Sequence, residues 1–232
     1  MPKKFSRRKF VRRRRKYGRR KRYTGGGRVR IYKQPIPLSA VVNMRYVCTF
    51  GLDADPGSTL YLGTEVLKVN SINNPQTSGH QPMGHDQWAV WYSRYVVLKC
   101  KVTVDFSQND NSTQPASIVG IHSHDATGAI SDGDSVSYAA EQPNTSYAIC
   151  NDQNRAGVRL SRTFSARRFF SVKSPSSRDD LTGTFSANPG NIAYMTVFAG
   201  PCDGSTNAAQ IRCLCTMVYT VLLKEPLALN QS

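Results

Sequence analysis

The net positive charge of this 232-residue sequence is confined to its first thirty residues, and that confinement decides which part of the chain is able to fold. Met1 to Arg30 hold 16 Lys and Arg and no Asp or Glu, whereas the 15 basic residues that follow face 15 acidic ones. The +16 formal charge therefore belongs to an N-terminal segment, and the rest is formally neutral. The cations are Lys3, Lys4, Arg7, Arg8, Lys9, Arg12, Arg13, Arg14, Arg15, Lys16, Arg19, Arg20, Lys21, Arg22, Arg28 and Arg30. Apolar residues between them are too few to offset the entropy of ordering the chain, so a disordered arm is predicted. A polycationic arm on a neutral body calls for a polyanionic partner, nucleic acid first among them.

All sixteen are candidate nucleic-acid-binding residues, because each cation placed on a phosphate releases condensed counterions. Phe5, Phe10, Tyr17 and Tyr23 either stack on unpaired bases or merely space the charges, and the sequence leaves both open. The same basic runs match a nuclear localisation signal, which host import receptors would read. Gly25-Gly26-Gly27 is neither preceded by a strand nor followed by a Lys-Ser/Thr helix start, so it reads as a linker rather than a phosphate loop. The sequence divides into a basic arm (1–30), a linker broken by Pro35 and Pro37 (31–40), a folded domain (41–225) and a short tail (226–232).

The folded part reads as all-β. Val96, Leu98, Cys100, Val102, Val104 and Phe106 alternate with more polar neighbours, and Val42, Met44, Tyr46, Cys48 and Phe50 do the same. Val158 and Leu160 alternate with Arg159 and Ser161, and strands are also expected in 60–69 and 118–121. The segments 192–199 and 211–223 are apolar at both parities, the pattern of central strands. Long loops rich in Asp, Asn, Gly, Pro and Ser separate these runs, and one stretch, His85 to Arg94, is a candidate helix. A single long-looped sandwich of eight strands suggests a jelly roll. No apolar run is long enough to cross a membrane and none looks like a signal peptide, so no membrane insertion is expected. The six scattered cysteines are expected to stay thiols, with Cys48, Cys100, Cys213 and Cys215 acting as small buried apolar groups.

Three blocks carry a resemblance. The first is Gly79 to Lys99, with His80-Gln81-Pro82, Gly84, Asp86-Gln87-Trp88, and Tyr92 and Tyr95 leading into a strand. The second is Phe164 to Phe170, and the third is Asp180 to Thr184 followed by Asn188-Pro189. Together with the Arg-rich arm they resemble the capsid proteins of circoviruses and related small circular single-stranded DNA viruses that encode a rolling-circle replication protein. The resemblance implies an eight-stranded jelly roll that assembles into a T=1 icosahedral shell of sixty subunits. It implies arms that point inward on a packaged circular single-stranded DNA, residence in the virion, and a nuclear phase during assembly. Sixty such arms would neutralise roughly a thousand phosphates. A host cell-surface receptor or glycan is left unspecified.

Two weaker site expectations accompany the arm. Trp88, Trp91 and Tyr92 crowd one loop and are candidate subunit-interface anchors, the other reading being that they pack within their own subunit. Between Gln153 and Arg178 lie Arg155, Arg159, Arg162, Arg167, Arg168, Lys173 and Arg178 with no acid among them. Arg159, Arg162, Arg167 and Arg168 are candidate genome contacts. The other reading is inter-subunit salt bridges, with Asp179 and Asp180 as partners.

No catalytic residue, metal ligand set or cofactor is expected. His122 and His124 resemble the start of a cupin metal motif, but no Glu follows at the required spacing and no His occurs after His124. Asp53, Asp55, Asp132 and Asp134 are turn residues by default and otherwise a stray Ca²⁺ site. Two other functions compete with a capsid protein: a monomeric cellular basic-armed nucleic-acid-binding β-sandwich, and a cupin-like enzyme with a basic localisation tail. Deleting Met1 to Arg30 is expected to abolish DNA binding in a mobility-shift assay while leaving the β-sheet circular dichroism signal intact. Undiminished binding would transfer the genome contact to the Gln153–Arg178 cluster.

Overall fold

The computed structural model describes residues 36–52, 63–77, 79–108, 116–131, 133–151, 157–203 and 210–228. The chain divides into two units, Met1–Pro35 and Ile36–Ser232, so the whole first unit, with every cation of the arm, lies outside the described residues. The second unit carries β1 (Ser39–Leu52), β2 (Gly63–Lys68), α1 (His85–Ala89), β3 (Tyr92–Gln108) and β4 (Ser117–His124). It continues through α2 (Val136–Glu141), β5 (Thr145–Cys150), β6 (Val158–Ser165), α3 (Ala166–Phe169), the two-residue β7 (Gly183–Thr184), β8 (Tyr194–Pro201) and β9 (Ile211–Pro226).

The strands form two antiparallel sheets, ordered β1-β9-β3-β6 and β2-β8-β4-β5, with β7 paired to the start of β3. These are the eight long strands expected, in jelly-roll connectivity: the chain changes sheet at each step between them except in the β4–β5 hairpin. Inward residues of both sheets alternate with outward ones and meet in one core. Met44 and Tyr46 of β1, Cys100, Val102 and Val104 of β3, and Cys215, Met217 and Tyr219 of β9 face Leu67, Val119, Ile121, Met195 and Val197 of the second sheet. Tyr219 also bridges the layers, donating from its phenol to the Lys68 carbonyl at 3.1 Å. Cys100, Cys213 and Cys215 are buried, and burial pushes the Cys213 thiol up to about 12, which keeps it protonated.

Three expectations need correction. The period-two run through Leu98 is broken: Val97 pairs with Val221 and Lys99 with Thr220, so Leu98 is an extra residue in a β-bulge. Parity flips there: Tyr95 and Val97 join Cys100 in the core between the sheets, while Val96 is fully buried on the opposite side of its strand. The helix expected from His85 to Arg94 stops at Ala89, because Tyr92 is already paired to Pro226 as the first residue of β3. Strand β9, apolar at both parities, buries only one face: Leu214 and Val218 point outward and are 43% and 39% exposed. It is central by pairing, between β1 and β3, but the outer face of its sheet is open except near the start of β3, where Val96 is buried and Lys224 Nζ donates to the Ser176 carbonyl at 2.8 Å.

The second sheet differs. The segment between β4 and β5, with α2, lies over its outer face, where Ile130, Val136 and Ala139 enclose Phe198. Gly120 makes this packing possible, since a Cβ there would run into the Phe198 ring opposite it in the ladder. Gly120→Ala is expected to destabilise the protein by about 1–3 kcal/mol through overpacking, read as a lower denaturant midpoint with an unchanged slope.

Candidate nucleic-acid interface

The outer face of the first sheet gathers cations that are far apart in sequence. Arg45 sits between the inward Met44 and Tyr46, so it points outward, and it shares a ladder row with Val218 and Lys101. Lys99 stands one row away, opposite Thr220 and Ser165, and Arg212 stands at the far end, opposite Gly51 and Ser107. Two strand spacings put Arg45 and Lys101 about 10 Å apart. All four are exposed, and none has a carboxylate partner among the described residues. The one acid in this part of the face, Asp105, is held by Arg159 across the β3–β6 ladder. Thr, Ser and half-exposed Val and Leu side chains fill the rest of the surface. Arg45, Lys99, Lys101 and Arg212 form no cluster in the sequence. The available signal was their shared outward parity on separate strands, which means little until strand order makes those strands neighbours.

The cluster singled out from sequence is split up by the fold. Arg155 lies outside the described residues. Arg159 is outward but engaged: Nε and Nη2 donate to the two carboxylate oxygens of Asp105, the second at 3.1 Å. Arg162 has the opposite parity and reaches between the sheets, donating to Ser123 Oγ at 3.2 Å and Ser146 Oγ at 2.8 Å. Arg178 is paired within its own chain, with Nε and Nη2 at 2.8 and 2.7 Å from the Asp180 carboxylate. Arg167, Arg168 and Lys173 remain exposed around a shallow basin beside α3.

The aromatic loop also divides. Tyr92 is 1% exposed and its phenol donates to the Pro37 carbonyl at 3.0 Å, so it is enclosed by its own chain and cannot anchor a neighbour. Trp88 packs partly against the core, with its ring 6.2 Å from that of Tyr92. Trp91 is 43% exposed, and its carbonyl accepts from Leu227 N at 2.9 Å, which brings two exposed apolar side chains together beside exposed Val90.

His122 and His124 lie on the outer face of the second sheet, stacked at 5.2 Å with ring planes 8° apart. His122 Nε2 donates to the Gly128 carbonyl at 3.0 Å and Nδ1 accepts from Thr145 Oγ1 at 2.9 Å. His124 Nδ1 donates to the Asp125 carbonyl and Nε2 accepts from Thr196 Oγ1 at 2.7 Å. Every ring nitrogen of the pair is thus occupied in the neutral form, and His80 and His85 make their contacts elsewhere. Among the described residues no three His, Cys, Asp or Glu side chains are placed to hold a metal. Asp134, one of the candidate Ca²⁺ residues, instead accepts from Ser131 N and Oγ, while Asp53, Asp55 and Asp132 lie outside the described residues.

No protein-family model matches the chain, and no curated protein matches it. Solved structures similar to it include the 60-mer BFDV capsid protein, with a TM-score of 0.49 and 8% identity over 84% of this chain and 97% of that one. Turnip yellow mosaic virus gives 0.42 and 10% over 87% and 89%, and mud crab tombus-like virus 0.44 and 15% over 88% and 92%.

Burial is the main cause that lowers the pKa of both His122 and His124 below the ordinary value of about 6.5. A depressed imidazole contributes its full stability above the unfolded-state value and loses it as pH falls below that value. The melting temperature is expected to drop by about 2–4 °C between about pH 7.5 and about pH 5. The His122→Gln, His124→Gln double variant should show a flatter profile in the same scan.

Proposed function

We propose that this chain is a self-assembling viral capsid protein that packages single-stranded DNA and has a structural, not catalytic, role. The observation that carries this reading is the separation of charge: sixteen cations in the first thirty residues, attached to a formally neutral jelly roll. A folded monomeric binder concentrates basic charge on its body as well, whereas a shell subunit needs a body able to pack against copies of itself. The resemblance of three sequence blocks to circovirus-like capsid proteins supports the same reading.

In this proposal the basic N-terminal segment supplies most of the phosphate neutralisation and doubles as the address read by nuclear import receptors. The outer face of the first sheet, with Arg45, Lys99, Lys101 and Arg212, supplies a second, shallower contact for the nucleic acid, extended by Arg167 and Arg168. Both surfaces belong inside a T=1 shell of sixty subunits, residing in the virion. The exposed apolar cluster of Val90, Trp91 and Leu227 is a subunit contact, since an exposed tryptophan beside two aliphatic groups is a good interface anchor.

Negative-stain electron microscopy of the purified full-length chain in moderate salt tests the reading. Uniform round particles about 20 nm across are expected for sixty packed domains of this size. A clean monomer that forms no particles after addition of single-stranded DNA would overturn it in favour of a monomeric binding module.

A further inference from the structure

A cleft of about 580 Å³ opens where β6 and α3 meet the second sheet. Three cations line it, Lys99 of β3, Arg162 of β6 and Arg168 of α3, and among the described residues no carboxylate does. Ser123, Asn144 and Tyr194 add hydrogen-bonding groups, and Phe169 adds an apolar wall. The volume falls within the range of small-ligand pockets.

Arg162 is the unusual member. It is half-buried, and its two hydrogen bonds go to the neutral hydroxyls of Ser123 and Ser146. A guanidinium taken out of water ordinarily carries an anionic partner, because neutral acceptors do not offset its desolvation. Burial accordingly lowers its pKa. Two other cations of the 153–178 stretch behave differently: Arg159 and Arg178 each hold an aspartate. Among the described residues the fold thus leaves this half-buried positive charge without a carboxylate partner, at a cavity with two further cations on its walls.

We propose that this cleft is a binding site for a nucleotide, its phosphate taken by Arg162 and Arg168 and its base lying against Phe169. Arginine suits the role because its planar fork meets phosphate oxygens in pairs. Two sources share this chemistry, a free mononucleotide and one nucleotide of a packaged single strand, and only the second rests on the proposed capsid function.

The test is calorimetric titration of 5′-dTMP into the full chain after nuclease treatment and high-salt washing. Saturable binding of about one dTMP per chain is expected, with inorganic phosphate competing. Arg168→Gln, at an exposed side chain, should weaken dTMP binding about tenfold. Arg162→Lys, which keeps the charge but loses the fork, should weaken it while leaving the melting temperature near that of the parent. A full-chain variant with Arg12, Arg13, Arg14 and Arg15 changed to Gln should bind dTMP normally while taking up less single-stranded DNA. The proposal is overturned if the parent does not bind dTMP, if Arg168→Gln binds it undiminished, or if the arm variant loses it. Displacement of dTMP by a six-residue oligo-dT in the arm variant assigns the site to the strand, and its absence assigns it to the free nucleotide. Particles without dTMP binding would sink this inference alone, and dTMP binding without particles would sink the capsid reading alone.

Discussion

The sandwich depends on strand β9. It pairs along its length with β1 on one side and β3 on the other, so the last strand in the sequence closes a sheet begun by the first. Its inward residues Ile211, Cys213, Cys215, Met217, Tyr219, Val221 and Leu223 are all almost fully buried. Removing this strand would leave β1 and β3 with unpaired backbone groups over an open core, a cost that side-chain packing elsewhere cannot offset. Pairing residues near position 45 with residues near position 218 also makes the contact order high, and folding must wait for the C-terminal strand to be in place.

Closing the sheet in this way leaves two unlike surfaces. The second sheet is roofed by α2 and the segment around it, with a small core of its own about Phe198. Most of the first sheet's outer face is left open, and its outward positions there hold cations, hydroxyls and half-exposed aliphatic groups. A surface of that composition stays wet readily and meets a polyanion without burying an unpaired carboxylate, apart from Asp105, which Arg159 already holds. The described chain enters at Ile36, three residues before β1, an edge strand of this same sheet. The covered face and the mostly open one give the fold a polarity that the neutral net charge of the body conceals.

The sequence blocks that carry the family resemblance converge on one structural joint. Tyr95 is wholly buried and its phenol pairs with Ser71 Oγ at 3.2 Å, while Ser71 donates to Asn188 Oδ1 at 2.7 Å. Phe185 meets the Tyr95 ring edge-on at 5.9 Å and the His85 ring at 5.1 Å. Gly183 pairs with Tyr95 in the ladder and lies so close to its ring that a Cβ there would be 2.5 Å from it. Asn191 N donates to the Asp180 carbonyl at 2.8 Å. The first and third blocks therefore meet at the entry to β3 and the turns before β8, which accounts for Tyr95, Gly183 and Asn188 on packing grounds.

The sequence by itself determined the charge separation, the all-β class and most of the strands, because charge is additive and a half-buried strand prints its two faces as a period of two. In β1 and in β3 beyond Cys100 that period holds, residue by residue. It failed at Leu98, where one inserted residue flips every side chain upstream, and nothing local to Val96-Val97-Leu98 marks a bulge that exists to keep register with β9. It left β5 and α2 unread, since Tyr147 and Ile149 sit exposed on an edge strand and give no clean alternation. Only the tertiary structure decided which cations act together. Arg159 and Arg162 are three residues apart, yet one lies over Asp105 on the outside and the other reaches, half-buried, between the sheets. Arg45, Lys101 and Arg212 are far apart in the chain and share one face. The reason is physical: parity fixes the face a side chain points to, but strand order fixes its neighbours, and strand order is set by long-range pairing that no local stretch of sequence contains.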